Sequence, residues 1–242
     1  MKKLVEVIGL TKEFNGTRAV DGISFEIYEG EVLGLLGANG AGKTTTLQML
    51  LGLTTPTDGA VKLFGLDMKD SREEILKRVN FSSSYVSLPF SLTVYENLQV
   101  FAMLYEIKNR KSKILDMLRV FEIEDLKHKP VRRLSSGQIT RVCLAKSLLN
   151  DPEVLFLDEP TASLDPDIAD KTRRLLKDIT KDRGVAILYT SHNMKEMEEI
   201  CDRVIFMDRG HIAAIGTLAE IKEKYKTDDL EEVFLRIARK TG

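Results

Sequence analysis

Gly37-Ala38-Asn39-Gly40-Ala41-Gly42-Lys43-Thr44 stands between the strand-like stretch Glu31-Val32-Leu33-Gly34-Leu35-Leu36 and an apolar run that begins at Leu47. Its spacing, G-x-x-x-x-G-K-T with a strand before and a helix after, is that of a phosphate-binding P-loop. Glycines at 37, 40 and 42 let the backbone turn tightly so that its N–H groups converge on phosphate oxygens. Lys43 has the reach for the terminal phosphates, and Thr44 can offer its hydroxyl to Mg²⁺. The helix opening at about Gly42 brings the positive end of its dipole to the same point. A glycine-rich turn joining a strand to a helix is the plain alternative. Here the lysine, the threonine and both flanking elements are present together, which points to binding of a nucleoside triphosphate.

The chain around this loop has 242 residues, 43% of them hydrophobic, enough for one sizeable core with a smaller subdomain attached. Lys plus Arg number 36 and Asp plus Glu 37, a net charge of −1 that gives no general attraction to nucleic acid or anionic lipid. No nucleic-acid partner is expected. Cys143 and Cys201 form no C-x-x-C pair and have no histidine at ligand spacing, which fits a reducing compartment. No apolar run approaches the ~20 residues needed to span a bilayer. Met1-Lys2-Lys3-Leu4-Val5-Glu6 meets a charge too soon for the long apolar core of an export signal. The expectation is a soluble, intracellular chain that can still dock on something in the membrane.

Short strands fill the N-terminal region: Leu4 to Gly9, then alternating Ile23–Ile27, then the wholly apolar Val32 to Leu36. Thr54-Thr55-Pro56-Thr57-Asp58-Gly59 is a turn cluster that leads into a strand at 60–64. From about Thr93 to Asn150 the texture is helical. Val94, Leu98, Phe101, Leu104 and Tyr105 recur at helical spacing, as do Ile114, Leu115, Leu118 and Phe121. Strand character returns at Val154–Leu157 and Val185–Tyr189, with the amphipathic stretch Ile168–Ile179 between them. Such apolar strands alternating with a helix imply a parallel sheet covered on both faces. Val204–Met207 and Ile212–Ile215, joined through Asp208-Arg209-Gly210, read as a closing hairpin. From Leu218 the chain reads as charged helix with Leu230, Val233, Phe234 and Ile237 on one side.

Two further sites carry chemistry. Val154-Leu155-Phe156-Leu157-Asp158-Glu159 is a buried strand that ends in two carboxylates, at the edge where open α/β sheets bind ligands. Asp158 can hold Mg²⁺ through water, and Glu159 can polarise the water that attacks a γ-phosphate. His192 follows the strand ending at Tyr189 and should emerge on the same edge. His128 and His211 have no such placement. Leu134-Ser135-Ser136-Gly137-Gln138 precedes a helix expected from about Gln138 to Leu149. This is either a second anion-ready helix start or an ordinary Ser-capped one.

In this order, Gly37–Thr44, Leu134–Gln138, Val154–Glu159 and His192 closely resemble the motifs of the ATP-binding cassette (ABC) ATPase family, over about Leu4 to Thr217. Leu134–Gln138 resembles the family signature L-S-G-G-Q, with Ser136 in place of the first glycine. Ser163-Leu164-Asp165 resembles the loop after the Walker B strand. Phe14 lies where the family stacks an aromatic ring on adenine. The resemblance implies an α/β fold: a P-loop NTPase core of mostly parallel sheet, an N-terminal antiparallel β subdomain and an inserted α-helical subdomain. The implied boundaries are core 1–84 and 151–217, helical subdomain 85–150 and a helical tail 218–242. It further implies ATP and Mg²⁺ as ligands, with Asn39, Ala41 and Thr45 joining the P-loop glycines, Lys43 and Thr44 around the nucleotide. The implied assembly is a head-to-tail dimer with a second copy or a homologous cassette. Ser135, Gly137 and Gln138 would close over the partner's ATP, and Asp165 would connect the two sites.

At one point the pattern breaks. Where the family carries a glutamine near Mg²⁺ and the attacking water, counting back from Leu92-Thr93-Val94 puts Ser84. A serine can reach Mg²⁺ only through water or a loop shift, so slower or differently coupled hydrolysis is expected. As for the work done, ribosome-acting relatives usually carry two cassettes, and DNA-repair relatives need a long heptad insert or zinc cysteines; this chain has neither. The favoured expectation is the cytoplasmic, membrane-peripheral subunit of a transporter, coupled to integral membrane permease subunits. Leu98–Tyr105 and Val131-Arg132-Arg133 look most like the export type. A soluble partner of iron–sulfur assembly is the alternative.

Overall fold

The computed structural model describes residues 1–83 and 88–240. Among the described residues ten strands fall into two sheets. The smaller is antiparallel, formed by β1 (Lys3–Phe14), β2 (Thr17–Tyr28), β4 (Asp58–Leu63) and β5 (Leu66–Asp67) in the order β2-β1-β4-β5. The larger holds β3 (Val32–Gly37), β6 (Val79–Ser83), β7 (Val154–Asp158), β8 (Ala186–Thr190), β9 (Arg203–Asp208) and β10 (His211–Thr217), in the order β10-β9-β3-β8-β7-β6. It is parallel throughout except where β10 returns along β9.

The apolar strands of this second sheet divide their residues between two cores, because successive side chains leave a strand on opposite faces. Val32, Leu36, Leu155, Leu157, Ile187, Tyr189, Val204 and Phe206 enter one cluster, shared with the helices. Leu33, Leu35, Val154, Phe156, Ala186, Leu188, Ile205 and Met207 enter the other, shared with the antiparallel sheet. Helix α1 (Lys43–Leu50) adds Leu47, Met49 and Leu50 to that second cluster, which fixes the P-loop between the two sheets. Each fully buried side chain of this size contributes about 1.5–3 kcal/mol.

After α2 (Arg72–Lys77) and β6 come α3 (Val94–Leu104), α4 (Arg110–Val120) and α5 (Ser136–Ser147). Val94, Leu98 and Ala102 of α3 and Ile114 and Leu118 of α4 recur every four residues and are fully buried. Leu104, expected on the same face, is instead 69% exposed, beyond the point where Phe101 and Tyr105 pack their rings. Helix α6 (Pro166–Arg183) links β7 to β8, and α7 (Met194–Ile200) links β8 to β9.

Three expectations need correction. The first two strands are twice the length read from sequence, because Gly9 and Gly22 take positive φ at ladder irregularities and let the hairpin continue to an Asn15-Gly16 turn. Strand β6 is an element that the sequence pattern does not suggest; its polar Asn80 is satisfied by Asn150 (2.8 Å), so a strand with few apolar residues is stable at the sheet edge. The tail is two helices, α8 (Leu218–Tyr225) and α9 (Leu230–Lys240), divided at Lys226, which adopts φ 53°. Leu230, Val233 and Ile237 are buried, as the spacing predicts. Among the described residues no helix is long and apolar enough to cross a membrane.

Candidate nucleotide site

The P-loop leaves β3 at Gly37 and enters α1 at Gly42. Gly42 has φ 104°, and a Cβ there would lie 2.5 Å from the Ala19 carbonyl oxygen, so only glycine fits. Asn39, Gly40 and Thr44 are exposed, Thr45 is half-buried and Ala41 is buried. Lys43 Nζ donates to the carbonyls of Gly37 (2.6 Å) and Ala38 (3.1 Å). Burial lowers the Lys43 pKa, and the Glu159 and Asp158 carboxylates oppose that shift. The three charged groups therefore share one field. Ala19 belongs to the same hairpin that carries Phe14 at its tip, where Phe14 is 47% exposed with the Lys12 ammonium 5.0 Å from the ring centre.

Asp158 and Glu159 emerge together at the end of β7, but their backbones diverge. Asp158 completes the strand, whereas Glu159 turns into the left-handed region at φ 52°. That conformation costs a residue of this size about 1–3 kcal/mol and is found where a site over-determines it. Thr190 is what holds it. Its hydroxyl donates to Asp158 Oδ1 (2.7 Å), while its hydroxyl and carbonyl oxygens both accept from the Glu159 N–H (3.1 and 3.2 Å). Ser83 at the end of β6 donates to Asp158 Oδ2 (3.3 Å). His192 Nε2 lies 3.4 Å from Glu159 Oε1. Burial raises the Glu159 carboxyl above the usual range, with His192 opposing.

Leu134–Gln138 forms the start of α5, two residues earlier than the spacing predicts. Ser135 is the cap: its hydroxyl accepts from the Gln138 N–H (3.3 Å), and Gln138 Oε1 accepts from the Ser135 N–H (3.0 Å). A Cβ on Gly137 would lie 2.9 Å from the Ser163 carbonyl oxygen, so the α5 start is pressed against the loop that leads to Asp165. Asp165 is exposed and occupies the N-cap of α6, with Pro166 in the first turn. Ser84 lies outside the described residues.

The sequence therefore discloses the two carboxylates, the histidine and the lysine that share this edge, but not Thr190 and Ser83, which hold the Asp158 carboxylate, nor the bonds from Thr190 to the Glu159 backbone. The signal was a hydroxyl residue at the end of each neighbouring parallel strand. For a hard cation the donors available are oxygens only, the Asp158 carboxylate and nearby hydroxyls, which suits Mg²⁺. Among the described residues no group of three His, Cys, Asp or Glu gathers as a metal cage, so a cation here keeps water and phosphate as its main ligands.

The model of the family described as "ABC transporter" matches residues 20–162. The Nod factor export ATP-binding protein I of Ralstonia nicotianae is 38% identical over 240 residues, 96% of this chain and 72% of that protein. The daunorubicin/doxorubicin resistance ATP-binding protein DrrA of Streptomyces peucetius is 34% identical over 225 residues, 91% of this chain and 67% of that protein. Among solved structures, the dimeric post-hydrolysis state of the ATP-binding cassette MJ0796 bound to ADP and Pi superposes with a TM-score of 0.81 at 25% identity. That match covers 88% of this chain and 98% of the other.

Proposed function

The chain belongs to the ABC transporter family as an ATP-binding, ATP-hydrolysing subunit, and from that premise we propose that two cassettes close head to tail over two ATP molecules and drive export through separate membrane subunits. The observation that carries this reading is the Glu159–His192 pair, 3.4 Å apart at the strand edge that shares a field with the P-loop lysine. Gly37, Asn39, Gly40, Ala41 and Gly42 present backbone amides to the phosphates, Lys43 reaches the terminal ones, Thr45 adds a hydroxyl and Phe14 stacks on the base. Mg²⁺, when bound, would neutralise charge on the phosphates, and Thr44 and Asp158 would hold it. Glu159 orients and deprotonates the attacking water. A carboxyl raised toward neutral pH is a better match to that task than an ordinary one. His192 holds Glu159 in place.

Ser135, Gly137 and Gln138 of one copy close over the γ-phosphate bound by its partner, and Asp165 links the two sites. Residues 1–84 and 151–217 act as the nucleotide-binding core, 85–150 as the helical subdomain and 218–242 as the tail. Direction follows the relatives, one a Nod factor export protein and one a drug resistance protein. The working location is the cytoplasmic face of a membrane, and no nucleic acid takes part. The test is Glu159→Gln. It should bind ATP, hydrolyse it at a few per cent of the normal rate or less and elute as a dimer with ATP. A variant that hydrolyses at the normal rate, or stays monomeric with ATP, overturns the reading.

A further inference from the structure

Beneath the Glu159–His192 pair lies a second carboxylate that the reaction as described leaves without a role. Glu196, on α7, is only 6% exposed. Its Oε1 accepts from the Tyr189 hydroxyl (2.6 Å) and from the Thr161 hydroxyl, and its Oε2 accepts from the Ser191 hydroxyl (2.7 Å). Arg173 Nη1 on α6 is 3.8 Å from Oε1 and supplies the countercharge a buried carboxylate needs. Burial first, and the Glu196 charge second, push the Tyr189 phenol upward, which keeps it a donor.

These bonds reach both sides of the site. Thr161 is two residues past Glu159, and the Ala162 N–H donates to the Glu159 carbonyl (3.3 Å), so one arm ends on the turn that carries Glu159. Ser191 precedes His192. Its hydroxyl, while donating to Glu196, accepts from the Asn193 N–H (3.1 Å), and Asn193 Oδ1 accepts from the Glu196 N–H (3.2 Å). His192 is thus the middle residue of a ring closed on either side by Glu196. A carboxylate is the one side chain of this length with two acceptor oxygens and no donor, as three converging hydroxyls require.

We infer that Glu196 is a positioning residue for ATP hydrolysis, fixing His192 and the Glu159 turn at their working separation through Ser191 and Thr161. The inference rests on the reading of Glu159 and His192 as the water-activating pair. Losing this register by about 1 Å suffices to slow chemistry tenfold to a hundredfold without touching nucleotide binding. Among the described residues the Glu196 carboxylate bonds Thr161, Tyr189 and Ser191 and pairs with Arg173, none of them in the P-loop, so turnover and affinity should separate.

Glu196→Gln keeps shape and volume but has one acceptor oxygen, so it can accept from the Thr161–Tyr189 pair or from Ser191 but not from both, and the Ser191 hydroxyl must turn away from its native direction. It should fold with an ATP Kd within about twofold of the unchanged chain and hydrolyse about tenfold more slowly. Ser191→Ala should slow turnover several-fold, and the double variant should be no slower than Glu196→Gln alone, because both act through one network. Turnover within about twofold of normal in Glu196→Gln, affinity that falls in step with turnover, or additive losses would each overturn the inference. Should Glu196→Gln fail to fold, Ser191→Ala and Thr161→Val decide, since each leaves the carboxylate in place. Slow turnover with retained affinity supports the role, and normal turnover or lost affinity overturns it. Glu159→Gln, measured alongside, separates the failures. If it hydrolyses normally, the reading of the pair fails; if it is inactive while Glu196→Gln is fully active, only the role of Glu196 fails.

Discussion

Helices α1 and α5 both begin with a glycine close by, Gly42 at the cap of one and Gly137 in the first turn of the other, and they treat their first free amides in opposite ways. At α1 the cap is Gly42, which has no side chain to bond with, and the first turn holds no acidic residue. No side-chain cap takes up its first amides, and the Lys43 ammonium rests on the Gly37 and Ala38 carbonyls of the same loop. At α5, Ser135 and Gln138 bond each other in a reciprocal box, so one helix donor and the cap N–H are already satisfied within the chain. On the proposed reading, the first helix start holds phosphate by itself and the second meets a phosphate only when a partner brings one to it.

The comparison breaks most severely at Lys43. Lys43→Ala should lower ATP hydrolysis by about 10²–10³, the usual loss when one preorganised charge is removed from a water-poor site. The fold should remain intact, because the Lys43 ammonium bonds only loop carbonyls. Phosphate release at saturating ATP measures it, and a loss under threefold would mean that the uncapped start of α1 does not hold the terminal phosphates.

Acid should be nearly as damaging. As the proposed base Glu159 must be ionised, and burial raises its pKa above the ordinary carboxylate value, so kcat/KM should fall about tenfold per pH unit below that raised pKa. His192 opposes the raising, so His192→Ala should move the acid limb to higher pH. A limb in the ordinary carboxylate range, or one that moves to lower pH in the variant, would remove Glu159 as the base. No such limb is expected from changes at α5, which is the sense in which the two ends differ.

Gly137→Ala probes the other end. The added Cβ would meet the Ser163 carbonyl at 2.9 Å, closer than Cβ atoms tolerate, so the α5 start or the loop to Asp165 must shift. Overpacking of this kind costs about 1–3 kcal/mol. Turnover should drop about tenfold while ATP affinity of the Glu159→Gln, Gly137→Ala monomer stays normal, as equilibrium dialysis would show. Weakened monomer affinity would mean that α5 contributes to its own chain's pocket.

What the chain discloses in advance follows the same divide. The apolar strands β3, β7, β8 and β9 and the P-loop are legible because burial on both faces and the need for phosphate-binding glycines each leave a pattern in consecutive residues. Strand β6 is not, since Asn80, Ser82 and Ser83 owe their burial to partners 70 or more residues away, Asn150 and Asp158 among them. Thr190 and Glu196 were likewise invisible. Nothing local marks a threonine that holds the Asp158 carboxylate and the Glu159 backbone of the neighbouring strand end, or a glutamate that gathers hydroxyls from Thr161, Tyr189 and Ser191. The Asn15-Gly16 turn, by contrast, carries a local signal in its residue pair, although the sequence expectation of shorter strands passes over it.

The smallest effect belongs to Ser135, where two roles can be pulled apart. Ser135→Ala removes the acceptor for the Gln138 N–H and should cost about 1 kcal/mol. For a chain of this size that lowers Tm by about 2–4 °C. Ser135→Asp restores an N-cap acceptor of equal quality and adds a negative charge favoured at a helix start, so its Tm should return close to that of the unchanged chain. If Ser135 serves only as a cap, the aspartate variant is fully functional. If its hydroxyl also faces the partner's γ-phosphate, the same carboxylate repels it, and ATP-dependent dimerisation of Ser135→Asp in the Glu159→Gln background should weaken more than that of Ser135→Ala. Stability and closure would then rank the two variants in opposite orders, a crossing that a helix cap alone cannot produce. Light scattering with and without ATP measures the second ranking, and thermal unfolding the first. Matching orders would reduce the α5 start to an ordinary capped helix and leave the phosphate to α1.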